Sequence, residues 1–114
     1  MRSLVNFFLI AVTASDNACN DGDKAKIGGS LFPGFLWHCG MQAMLDPSKI
    51  SQCLEQGCGL TNGCADCFTE SGKCVLDDCL SDCMTPSNPS CKTCMDKNCN
   101  PAFLKCSGLS GDVG

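Results

Sequence analysis

The sequence contains no tyrosine, one arginine, one histidine and one tryptophan. Each shortage removes a class of function. With Arg2 as its lone arginine and twelve acidic residues against eight basic ones, the chain lacks the phosphate-neutralising patch and most of the stacking groups that nucleic-acid binding uses, so nucleic acid is set aside as a partner. A single histidine, His38, leaves general acid-base catalysis without a second imidazole, and neither a Gly-x-Ser-x-Gly elbow nor a His-Glu-x-x-His zinc motif occurs. His38 adjoins Cys39, but sequence neighbours on a helix point about 100° apart and do not form a Cys-His pair. Asn88-Pro89-Ser90 is barred as a glycan acceptor by its proline, and no permitted Asn-x-Ser/Thr exists.

Long apolar runs are also missing. The run from Leu4 to Val12 is about half the length of a membrane-spanning helix. Preceded by Arg2 and followed by the small-residue site Val12-Thr13-Ala14, it has the three parts of a secretory signal peptide. Residues 1–14 are therefore expected to be removed, leaving no membrane span. The mature chain would begin near Ser15 and carry seven lysines against twelve acidic residues, a net charge of −5.

What the chain has in excess is cysteine, thirteen in 114 residues, enough to mark a disulfide scaffold bound for an oxidising compartment. Eleven fall between Cys53 and Cys106. Residues 15–30 precede the array as a polar, turn-rich stretch that reads as a mobile acidic and glycine-containing spacer. Within it Asn20-Asp21-Gly22-Asp23 resembles part of a calcium loop, but no register supplies the alternate oxygens, the sixth-position glycine and the twelfth-position Glu together, so a solvated turn is expected. Residues 31–107 read as the disulfide-rich helical domain and 108–114 as a flexible tail.

The domain punctuates itself as short helices. Asp46-Pro47, Asn88-Pro89 and Asn100-Pro101 each place a capping side chain before a proline, and Gly57, Gly72 and Gly108 fall where helices would end. The spacing predicts helices near 47–56, 62–71, 73–84, 89–99 and 101–107, with a further short helix from Phe35 to Leu45 after a turn at Pro33-Gly34. Helices of two or three turns are marginal alone and need bracing. Cys64 and Cys67, Cys91 and Cys94, and Cys79 and Cys83 sit three or four residues apart, which aims each pair of sulfurs at a neighbouring helix and favours bonds between helices. Cys64-x2-Cys67-x6-Cys74-x4-Cys79 set against Cys91-x2-Cys94-x4-Cys99-x6-Cys106 suggests duplicated helical hairpins.

Two other chemistries are set aside. The pairs Cys64/Cys67 and Cys91/Cys94 approach a four-cysteine zinc site, yet seven more cysteines in the same stretch would have to stay reduced, and no metal or other cofactor is expected. A thiol-exchange Cys-x2-Cys belongs after a strand of a βαβ unit, and no strand pattern is present. The acids Asp77, Asp78 and Asp82 form a solvated face with no pocket to separate their pKa values.

The run Cys67-x6-Cys74-x4-Cys79-x3-Cys83-x7-Cys91-x2-Cys94 resembles the cysteine-rich N-terminal domain of violaxanthin de-epoxidases, a helical module of the thylakoid lumen, and also small secreted cysteine-array proteins. The resemblance implies a helical disulfide scaffold. It carries over no catalytic residue, since the lipocalin-like catalytic domain has no counterpart here.

The expectation is thus a small, mainly α, disulfide-rich protein laced by about six bridges drawn from Cys39, Cys53, Cys58, Cys64, Cys67, Cys74, Cys79, Cys83, Cys91, Cys94, Cys99 and Cys106. An odd total leaves one thiol, and isolated Cys19 is the expected free or intermolecular cysteine; the alternative is that Cys19 reaches Cys39 or the array and strands another, such as Cys106. Leu31, Phe32, Phe35, Leu36 and Trp37 either pad the core or form a contact surface. The expected role is non-enzymatic, a secreted structural or interaction protein with a protein partner or self-association, disulfide-linked through Cys19. The alternatives are an effector, toxin-like ligand or inhibitor, and more distantly a thiol-disulfide oxidoreductase.

Overall fold

The computed structural model describes residues 17–43, 46–85 and 88–110. The expected leader over 1–14 and residues 111–114 of the expected tail lie outside them. Among the described residues there are six helices, six disulfides and no strand.

The first helix, α1 (Asp21–Ile27), occupies the expected spacer. Local chemistry overrides composition there. Asn20 Oδ1 accepts the Asp23 N–H at 2.7 Å while Asp23 Oδ2 accepts the Asn20 N–H at 3.1 Å, closing a capping box where a solvated turn was expected. The segment is then tied down from both sides. The N–H groups of Asn17, Ala18 and Cys19 donate to the carbonyls of Lys105, Cys106 and Ser107 at 3.2, 2.8 and 3.2 Å, and Cys19 is bonded to Cys64. Residues 17–30 are therefore part of the domain, not a mobile spacer.

Helix α2 (Phe32–Ala43) begins before the Pro33-Gly34 pair instead of after it. Pro33 sits in the first turn, where a helix has no intrahelical use for an N–H, so it starts the helix instead of turning the chain. Helix α3 (Ser48–Cys58) follows Asp46-Pro47, with Asp46 Oδ1 accepting from the Ser48 N–H at 3.3 Å. It ends at Gly59, not Gly57: Gly59 takes φ 72°, and the Gly59 and Leu60 N–H groups close back on the Glu55 and Leu54 carbonyls.

Helix α4 (Asn62–Asp78) is one helix of 17 residues where two were expected. Gly72 does not end it. A Cβ there would lie 2.6 Å from Ile50 Cδ1, so glycine serves the close approach of α3, and the helix runs through at a propensity cost of about 1 kcal/mol. The contact is reinforced by the Ser51 N–H in the first turn of α3, which donates to Thr69 Oγ1 at 3.1 Å. Helix α5 (Pro89–Asn98) starts as expected, with Asn88 accepting from the Ser90 N–H at 3.1 Å and Pro89 in the first turn. Helix α6 (Asn100–Ser107) keeps Pro101 in its first turn, but Asn100 donates to Asp96 Oδ1 at 2.6 Å instead of capping.

The disulfides explain the arrangement. Cys67–Cys106, Cys74–Cys99, Cys79–Cys94 and Cys83–Cys91 are nested, like rungs between an outgoing arm, α4 and the turn residues 79–83 beyond it, and a returning arm, α5–α6. The expected pair of duplicated hairpins is thus a single hairpin. Counted from its turn, the cysteines are spaced 4, 5 and 7 residues on one arm and 3, 5 and 7 on the other. Antiparallel helices rise equally per residue, so rungs between them need matching steps. A five-residue step turns about 140° away from the starting face. Both arms break their helices at that step, α4 after Asp78 and α5 after Asn98.

Against α4 of this hairpin packs α3, joined to α2 by Cys39–Cys53, and Cys19–Cys64 ties the N-terminal segment to the start of α4. The core is slight. Phe68 stands between Phe32 and Phe103 with ring centroids at 5.5 and 4.8 Å, above Leu54, Ile50, Leu60 and Ala65. Among the described residues, seven of the sixteen buried apolar ones are cysteines, so covalent bonds replace much of the packing a larger core would supply.

Candidate functional site

Helix α2 carries the aromatic segment, and the structure divides it. Phe32 is buried against Phe68. Phe35 and Leu36 are half-buried, whereas Trp37 is 52% and Leu31 85% exposed. The segment therefore both fills the core and forms surface, and consecutive residues take the two roles because successive positions on a helix face different ways.

Two grooves flank the ridge. The first, about 540 Å³, lies between the end of α1, Leu31, Phe32 and Phe35 of the ridge, and Gly57 and Cys58 at the end of α3. Gly57 is what admits Phe35, because a Cβ at that position would lie 2.1 Å from the ring's Cζ. The one charged side chain among its described lining residues is Lys26, whose Nζ donates to the Gly59 carbonyl at 2.9 Å and ties α1 to the end of α3. The second groove, about 310 Å³, lies on the opposite side of the ridge: Pro33, Leu36, Trp37 and Gly40 of α2 face Ser71, Gly72 and Val75 of α4, with Met95 of α5 closing it. None of its described lining residues is charged. A smaller cleft continues from Leu36, Phe68 and Met95 to Phe103 and Leu104 of α6.

The odd cysteine is Cys58, not Cys19. Cys19 was assigned from its distance along the chain, but the clasp of residues 17–19 on the end of α6 carries it to Cys64. Cys106, the other candidate, is bonded to Cys67. Cys58 is half-buried at the first groove, and burial pushes its pKa up against the weaker opposing pull of Lys26. It is thus a protonated, weakly nucleophilic thiol at neutral pH. The remaining expected framework cysteines are paired: Cys39 with Cys53, and Cys64, Cys67, Cys74, Cys79, Cys83, Cys91, Cys94, Cys99 and Cys106 as described above.

The structure does not bring Cys64, Cys67, Cys91 and Cys94 together as a zinc set, since each is bonded to a different partner. The atoms of Cys19, Asp23 and Cys64 do gather within 4.8 Å. Their donor capacity is spent: the sulfurs are bonded to each other, and the Asp23 oxygens accept from Asn20 N–H, Thr61 N–H and Thr61 Oγ1 at 3.1, 3.0 and 2.6 Å. Burial works to raise the Asp23 pKa, but the bonds from Thr61 and Asn20, with the Lys26 charge, together bring it below the ordinary aspartate value.

His38 is exposed, with its ring 5.6 Å from Phe35, and its neighbour Cys39 is locked to Cys53. Asp77 and Asp78 end α4 in solvent, while Asp82 lies in the turn beyond and not on the same helix as expected. Two ion pairs form among the described residues, Lys73–Glu70 and Lys92–Asp96, and neither involves these three acids.

Comparison of the chain with protein-family models, curated proteins and solved structures returns no significant match.

Proposed function

We propose that the chain is a secreted, non-enzymatic interaction protein whose disulfide frame presents the α2 ridge and its grooves to another protein. The observation that carries this reading is Trp37, half-exposed on a helix pinned by Cys39–Cys53, with an uncharged trough beside it. Rigid aromatic side chains beside apolar pockets are what interface hot spots are made of. Bracing supports the same reading, because a surface held in place covalently loses little further entropy on binding. The six bridges call for an oxidising compartment, and the signal-peptide character of the first residues extends that to secretion.

The test is site-directed photo-cross-linking in the producing cells' extracellular fraction. A cross-linker at exposed Met41, one turn beyond Trp37, is compared with one at exposed Lys97 on α5. A discrete product from position 41 that is absent from position 97 and lost on Trp37→Ala is expected. Equal or no products from the two positions would contradict the reading. A product containing one receptor or protease would identify the protein as an effector or inhibitor; a product containing the chain itself would identify it as self-associating.

A further inference from the structure

Resting on that reading, we infer that the groove between α2 and α4 receives an amphipathic helical segment of a protein partner, apolar along one face and basic at the end that meets Asp77 and Asp78. Three features of the groove select this occupant. First, its walls are small where its rims are large. Gly40 and Ser71 leave room for apolar side chains, while Trp37 and Met95 stand at the edges. The trough is open, so a small apolar ligand would stay largely wetted, whereas small-molecule sites bury roughly 70–90% of their ligand. A helix laid along it brings its own second face to the solvent.

Second, charge changes along α4 in one direction. Ser71, Val75 and Asp78 are four and three residues apart, on one face of the helix, so the uncharged groove leads to a carboxylate. Asp77 and Asp78 are both exposed, and no described lysine pairs with either. Cations on the incoming segment would meet these acids one turn beyond Val75, which favours one direction as well as one position.

Third, the net charge of −4 favours a basic partner over a second copy, whose groove would bring the same acids.

The test uses the full chain and synthetic probes: a peptide of about 18 residues, five helical turns, with leucine along one face and lysine elsewhere, its glutamate counterpart, and the lysine peptide broken by a central proline. Trp37 is the single tryptophan in a chain without tyrosine, so its emission reports on the groove rim directly, and peptide anisotropy gives a second reading. Gly40→Leu is the blocking variant, because a Cβ at Gly40 meets nothing within 4 Å and the side chain starts from open space on the groove wall; a circular dichroism spectrum matching the wild type shows that the fold is kept. Gly34→Leu, equally unobstructed but outside the groove, is the control.

The expected result is saturable binding of the lysine peptide with a blue shift of Trp37 emission. Binding should be about tenfold weaker for the glutamate peptide, the proline peptide and the Asp77→Asn/Asp78→Asn variant, lost in Gly40→Leu and kept in Gly34→Leu. Absence of binding, equal binding of the two charge types, or binding that survives Gly40→Leu would overturn the inference. If any of these occurs while position 41 still gives a Trp37-dependent cross-link, the inference fails and the interaction reading stands.

Discussion

Asp23 is a residue whose removal should be costly out of proportion to its size. It is 2% exposed, and its two oxygens hold the start of α1 and the start of α4 together. Replacing it by alanine leaves buried N–H and O–H donors unmatched, and we predict a loss of about 2–4 kcal/mol by denaturant unfolding, with Asp23→Asn losing less. Its depressed pKa fixes the direction of a pH effect. The folded state holds the proton less tightly than the unfolded chain, so this stabilisation is complete above the unfolded value of about 3.9 and is lost as pH falls below it toward the folded one. In Asp23→Asn the acid limb of the stability curve should flatten. Cys58 gives the second residue-scale prediction. With its pKa raised, the thiol should be alkylated by iodoacetamide at pH 8 more slowly than an exposed cysteine, with a rate still climbing through the range where an ordinary thiol has levelled off. Fast labelling with a midpoint near pH 8.5 would contradict the burial described here.

At the scale of elements, α2 hangs on one covalent bond. Cys39 and Cys53 are 14 residues apart, and Cys39→Ser/Cys53→Ser should lower stability by about 3 kcal/mol, with faster amide exchange in α2 and unchanged protection in α4 and α5. Loss of protection throughout the hairpin would mean that the ridge and the ladder are not separate units. What could be read of the elements from sequence divides along physical lines. Asn88-Pro89 and Gly108 were legible because capping is local: Gly108 takes φ 80°, and a Cβ there would press on Asn17. Gly72 misled because a glycine called for by a neighbouring helix looks the same as one that ends its own. The Asn20-x-x-Asp23 capping box was present in the sequence, though outweighed by the polar composition around it. The ridge residues were legible as a group, but which of them faced the core was not. That division depends on where α3 and α4 pack.

For the molecule as a whole, the cysteine array carried more information than its pairwise spacings suggested. The helix-face pairs implied bonds between helices, but of the bridges they make only Cys67–Cys106 joins two helices: Cys19 precedes α1, and Cys79 and Cys83, expected on one helix, lie beyond the end of α4. Read as a tandem duplication, the spacing hid a mirror: the x6, x4 order of one half is the x4, x6 order of the other because the second arm returns along the first. Cys19 was misplaced for a similar reason, since contacts between the beginning and end of a chain leave no local mark. The frame that results, four rungs along a hairpin, one tie from the hairpin to the N-terminal segment and one between α2 and α3, holds the elements that carry Trp37 and the groove. Disulfide mapping tests this most directly: alkylation of the denatured but unreduced protein, then digestion and mass spectrometry of the linked peptides. The account predicts one alkylated residue, Cys58, and the linked pairs Cys19–Cys64, Cys39–Cys53, Cys67–Cys106, Cys74–Cys99, Cys79–Cys94 and Cys83–Cys91. Alkylation at Cys19, or a bridge such as Cys67–Cys91 that crosses the nested order, would contradict it.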